Sequence, residues 1–530
     1  MNKTLRIAII SSFVLASNAA QAHEADESGR AKLGTVKFAT SCDPKLQADF
    51  ERALAMLHSF WWSATEKAFD DLFAKDPTCA IAAWGYASIL MGNPLAGVGA
   101  APADAKKAQA ALEKARMIGA RTERENDYIA AVSAYYENWD NKPEKERQLA
   151  RSKAYEALAA KYPNDDEAQI FNALYIAATQ SQADQTYGAY LKAASILEPY
   201  FKKYPDHPGV AHYLIHSYDA PPIAQQGLAA ARVYAGIAPA APHALHMPSH
   251  IFTRVGAWEE SAATNLRSMQ VAKAGEIDEG YHGADYAVYA FLQLGRDEDA
   301  RRTMEEAMSM KSKTTRFVWT YAYAAMPARM AIERGDWATA KQLPVTTTNA
   351  PFTDALTYYA RALGAARSGD VAAAEKEAAG LAEMHKKLDE AKNRYWATEV
   401  EVQRLTIAAW IAHKGGNAEE GLKLMRAAAD LEDKNEKHIV TPARILPARE
   451  LLGEMLFEQK QPAAALKEFE ASQLREPNRF RNYWDSARAA EAMGDRAKAT
   501  AYYQKLLALT AKSDGSRHEI VLAKMAVAQK

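Results

Sequence analysis

The stretch ELLGEMLFEQKQPAAALKEFEASQLREP, residues 450 to 477, reads as one helical hairpin. Leu452, Gly453 and Leu456 belong to a first helix, Ala465 and Phe469 to a second, and Pro477 ends the second. Moving outward, Ala465 and Phe469 are repeated at Ala499 and Tyr503, both 34 residues on. A fixed period of that length is the mark of stacked supersecondary units.

The remainder agrees. Sustained alternation of β-branched residues is absent, while Ala, Leu, Glu, Lys and Arg fill segments punctuated by Gly-Asp, Gly-Asn or Pro, so the chain is expected to be all-α. The turn phrase recurs in RVGAWEESA (254–262), QLGRDEDA (293–300) and ERGDWATA (333–340). On these residues the chain resembles the tetratricopeptide repeat family, and degenerate units such as FERALAMLHSFWWSATEKAFDDLFAKDP (50–77) extend the resemblance over most of residues 46–512. It implies a right-handed superhelical solenoid of helical hairpins, with the first helix of each hairpin lining a concave groove. The chain also resembles a group of exported bacterial proteins that share LHSFWW (57–62), DPTCAIAAWG (76–85), HMPSHIF (246–252) and PARELLGEML (447–456); that likeness implies no reaction.

The first 22 residues have Lys3 and Arg6, an apolar run from Ile7 to Ala16, and an Ala20-Gln21-Ala22 ending, the layout of a signal peptide cleaved after Ala22. The expected organisation is a leader over 1–22, an extended segment over 23–45, the solenoid over 46–512 and a C-terminal helix or tail over 513–530. No later apolar run is long enough to span a membrane, so the protein is expected in the periplasm. Losing Lys3 and Arg6 changes 65 cations against 66 anions into 63 against 66, a balance that asks for neither nucleic acid nor an anionic membrane. The only cysteines, Cys42 and Cys79, are compatible with a disulfide or with two small buried thiols.

Seven of the 13 histidines lie between His207 and His282. The frame set by Gly256 makes Pro242 position 1 of a unit, so His243, His246 and His250 fall at positions 2, 5 and 9, which the family resemblance turns towards the groove. His212 and His216 precede His246 and His250 by one 34-residue period each, and the next unit brings His282 and Asp285 to positions 2 and 5. Imidazoles on adjacent helices roughly 8–10 Å apart can converge on one ion. The expected site is therefore a histidine-rich groove over about 207–290, open to solvent, holding Cu or Zn through His212, His216, His243, His246, His250, His282 and Asp285.

Weaker signals are His58 beside Trp61 and Trp62, read as a groove residue or as part of an aromatic cap; Arg479 and Arg481 of PNRFRNYW as an anion contact; and Glu450 and Glu454 as an acidic groove. No nucleophile motif, phosphate loop, haem attachment or zinc-protease motif is present, and HYLIH (212–216) lacks the glutamate a peptidase needs, so no catalytic residue is assigned. Two readings follow: a periplasmic metal-binding solenoid, for metal handling or as a metalloenzyme, and an interaction scaffold whose groove takes a peptide or partner helix.

Overall fold

The computed structural model describes residues 31–310, 316–345, 347, 348, 350–515 and 517–528. The expected leader over 1–22 and its expected cleavage site lie outside the described residues. Within them the chain is a succession of α-helices with no β-strand element.

Successive helices pair as hairpins, among them Ile277–Gln293 with Asp297–Ser309, Pro351–Arg367 with Val371–Glu390, and Ala448–Glu458 with Pro462–Gln473. The turn phrases work as their chemistry requires: Gly256, Gly295 and Gly335 have φ of +69°, +65° and +66°, a left-handed conformation that glycine adopts without a Cβ penalty. In EQKQP the same place is taken by Lys460 at +63°. Inside the opening hairpin, Gly453 lies so close to Phe469 that a Cβ would come within 2.4 Å of the ring. Gly85 stands in the same relation to Phe69, at 2.0 Å.

Residues 31–43 run without helix along the first hairpins and bury Leu33, Val36 and Phe38. This strap is tied by Thr35 N–H to the Asp206 carbonyl (3.1 Å), by Ser41 to the Glu125 carboxylate (2.6 and 2.5 Å), and by a Cys42–Cys79 disulfide, Cα–Cα 4.8 Å. At the far end, residues 518–528 form a helix. No helix among the described residues is long and apolar enough to cross a membrane.

The concave side departs from expectation because the chain fills it. Residues 433–447 leave the helical pattern and thread past the first helices of several hairpins. Tyr286 donates to the Thr441 carbonyl (3.1 Å), Arg329 to the carbonyls of Ala443 and Arg444 (3.2 and 2.8 Å), and Arg254 pairs with Glu436 (3.5 Å). Ile439, Val440, Ile445 and Leu446 are buried in this passage. The C-terminal hairpins also curl back on the middle of the chain: Trp258 donates to the Asn478 carbonyl (2.7 Å), Phe480 N–H to Gln293 (3.0 Å), and Arg517 pairs with Asp297 (2.5 Å).

Candidate metal centre

The histidines that the 34-residue register aligns do converge, but in the interior. His212, His216, His243, His246, His250 and His282 are all between 0 and 5% exposed, so the solvent-open groove is corrected to a buried site. Its cover is the Phe60–Trp62 turn on one side and the 433–447 passage on the other. Phe60 packs on the His212 and His243 rings at 4.5 and 5.5 Å, and Tyr286, tied to Thr441, packs on His246 and His250 at 4.7 and 5.1 Å.

The six imidazoles form two sets. His212, His216 and His243 bring ligand nitrogens within 4.8 Å of one another, and so do His246, His250 and His282. His212 and His216 come from Pro208–Ser217, while His243, His246 and His250 come from a helix that Pro248 interrupts after His246, because proline has no N–H to give. His282 comes from Ile277–Gln293, so each set is completed by a second helix or helix segment.

What lies behind each ring decides which nitrogen faces inward. The His212 Nδ1–H donates to the His58 carbonyl (2.7 Å), and the Nδ1 atoms of His243, His246 and His250 face Glu279 (3.0 Å), Asn265 Oδ1 (2.7 Å) and Asp219 (2.9 Å). Asn265 gives its own amide N–H to the Ser261 carbonyl (2.7 Å), which fixes Oδ1 as the acceptor for His246. Burial pulls the Asp219 carboxyl up, but Lys437, Arg254 and the His250 N–H outweigh it and hold it ionised well below the usual carboxylate range. Glu279 is likewise brought down to about 2: burial is outweighed by His243, His282 and the Trp62 N–H. This is how metal-ligating histidines are held, with Nδ1 anchored to an acceptor and Nε2 left as a lone pair.

Two Nε2–Nε2 contacts result, His212 to His216 at 3.1 Å and His246 to His250 at 2.9 Å. In the first, a proton on His216 Nε2 could bridge, at the cost of leaving its buried Nδ1 without a partner. In the second no neutral form has a proton to offer, because both Nδ1 positions are committed to acceptors. Neither ring is charged at neutral pH: burial, then His282 and His250, put His246 well below its ordinary value, and burial outweighs Asp219 to bring His250 to about 4. A cation held there would remove this repulsion, with the Nε2 atoms of His246 and His250 as its donors.

Asp285 does not belong to either set. It lies against Arg329 (3.5 Å), and burial raises it to about 6 despite that cation. The weaker signals resolve similarly. His58 is neither a groove residue nor part of a surface cap: its Nε2 and His207 Nε2 share the Glu167 carboxylate (2.9 Å each), while Tyr213 and Val210 N–H satisfy the opposite nitrogens. With every nitrogen paired, this third cluster has no lone pair for an ion, and it supports the site through the His58 carbonyl. Arg479 joins Glu333 and Glu450 (2.8 Å each), and Arg481 and Arg367 clasp Glu454, so the arginines and the acidic positions neutralise one another. Cys42 and Cys79 are consumed as a disulfide.

Sequence reasoning missed Asp219, Asn265 and Glu279. Only Glu279, three residues before His282 on the same helix, left a local signal. A cavity of about 510 Å³ reaches His243 and His282 and is walled by Trp62, Glu279, Phe317 and Val440.

No family model and no curated protein matches the sequence. Among solved structures, a tetratricopeptide repeat protein from Parabacteroides merdae is 14% identical over 54% of this chain and 97% of its own, with a TM-score of 0.29. Human IFIT1, solved as a dimer with m7Gppp-AAAA, is 11% identical over 82% of this chain and 90% of its own, at 0.36. A chain of the APC/C hetero-tetramer Cut9–Hcn1 is 12% identical over 91% and 96%, at 0.30. Overlap this low says nothing of site or activity. On its own hairpins, turn glycines and 34-residue register, the chain is an all-α, tetratricopeptide-like helical-repeat protein.

Proposed function

We propose that this is an exported metal-binding protein that holds Cu or Zn through two buried three-histidine sets, His212/His216/His243 and His246/His250/His282. The observation that carries the reading is the 2.9 Å Nε2–Nε2 contact of His246 and His250, two rings whose Nδ1 atoms both face acceptors. Imidazole donors suit both metals, and the affinity order of nitrogen sites places Cu(II) first. Export to the periplasm is supported by the N-terminal residue pattern and by a disulfide, the chemistry of an oxidising compartment. The cavity beside His243 and His282 gives a small molecule a place next to the site, which suits a metalloenzyme as well as metal handling.

The test is metal content by plasma mass spectrometry on untagged protein, beside the variant His246→Ala/His250→Ala. Bound metal should be near-stoichiometric in the parent and reduced by at least half in the variant; equal content and affinity in both would sink the reading. The scaffold reading rests on the helical-repeat fold. It predicts a partner retained from extract whether or not chelator is present, and that partner must use a surface other than the concave side already filled by residues 433–447.

A further inference from the structure

The two imidazole sets are neighbours. Across them, the His216 and His250 rings are 5.9 Å apart and the His243 and His246 rings 6.0 Å. An ion bound at Nε2 sits about 3 Å from its ring centroid, from a bond of about 2.0 Å plus the ring's own radius. Ions held on the facing sides of these rings would fall within a few ångströms of each other, in the range where two metals clamp one group between them. Charge is distributed to match: one buried carboxylate stands behind each set, Glu279 on His243 and Asp219 on His250.

Access points the same way. Three nitrogens leave a position open on each ion. The 510 Å³ cavity touches one histidine of each set, His243 and His282, and is walled by Glu279, which faces His243 Nδ1 at 3.0 Å. The His243 Nε2 is a buried nitrogen without a hydrogen-bond partner, on a side chain that lines this cavity.

Resting on the metal reading above, we infer that the two sets form a single two-ion centre whose ions share one small exogenous ligand admitted through the cavity at His243 and His282. The ligand class is a small bridging donor such as azide, hydroxide or a dioxygen-sized molecule.

The experiment uses the full chain loaded with Cu(II) and then treated with azide. Copper per chain is counted by mass spectrometry, unpaired spins by electron paramagnetic resonance, and azide by optical titration. The expected result is two coppers, a spin count well below two, and saturation at one azide per chain. The variant His212→Ala/His216→Ala should keep one copper with one full spin. Two coppers with two full spins, or two independently bound azides, would overturn the shared centre and leave the metal reading standing. One copper per chain would overturn the pairing as well, and no copper would overturn both. The unsubstituted protein alone decides the question if the variant does not fold.

Discussion

Asn265 shows how much of the site is held from behind. Its amide is locked by the Ser261 carbonyl, so its oxygen can only accept, from His246 at 2.7 Å and from the Ser249 hydroxyl at 3.3 Å. Replacing it, Asn265→Leu, removes the anchor without touching a ligand. Outer anchors of this kind are worth about 10–100-fold in metal affinity, and a competition titration against a chelator should show that loss for the second set. Unchanged affinity would mean that His246 needs no orientation.

Protons report on the same rings. In the metal-free protein, burial brings His250 to about 4 and His282 and His438 to about 3, while the unfolded chain protonates each near 6.5. Between those values the unfolded state binds more protons, so stability present above pH 6.5 is lost as the solution is acidified towards pH 4. His250 alone accounts for on the order of 3 kcal/mol. Glu432, raised to about 8 by burial, works in the opposite sense, its contribution being lost as pH rises from about 4.5 through 8. Thermal melts of chelator-treated protein should fall steadily from pH 6.5 to 4; a flat profile over that window would contradict the burial of these rings. The alignment of the histidine pairs was legible because it follows from a counted period. Their burial was not, since position in a repeat says which way a side chain points and nothing about what lies in front of it.

At the scale of the hairpin, close approach is what the sequence specifies most clearly. Gly453 faces Phe469, and a methyl group there would meet the ring at 2.4 Å. Phe469 is buried and cannot swing away, so Gly453→Ala should destabilise the protein by about 1–3 kcal/mol, read as a lower denaturation midpoint. A midpoint unchanged would show that the two helices can slide apart. The turn glycines were equally legible, because left-handed backbone narrows the choice of residue. Lys460 was not: it holds the same conformation with a side chain that no pattern would select. Asp285 failed for a related reason, because its neighbour Arg329 belongs to the next hairpin, 44 residues away in the chain, and took the carboxylate before any ion could.

Across the whole molecule, the repeats and the helical class could be read from residues, whereas the sequence left the pairing of Cys42 and Cys79 open and gave no sign of the path of residues 433–447. Ile439, Val440, Ile445 and Leu446 look like any short apolar linker, and only the folded chain shows what they cover. The segment lies where an extended peptide would lie in an open solenoid, held by Tyr286, Arg329 and Arg254. It therefore behaves as a ligand that the protein carries on a leash. A short tether gives an effective concentration on the order of millimolar, and any free competitor has to outbid it. A synthetic peptide copying EKHIVTPARIL (436–446) should show no binding to the intact protein at micromolar concentration, yet bind a variant in which those residues are replaced by a glycine–serine linker of equal length. Micromolar binding to the intact protein would mean that the seat is vacant part of the time.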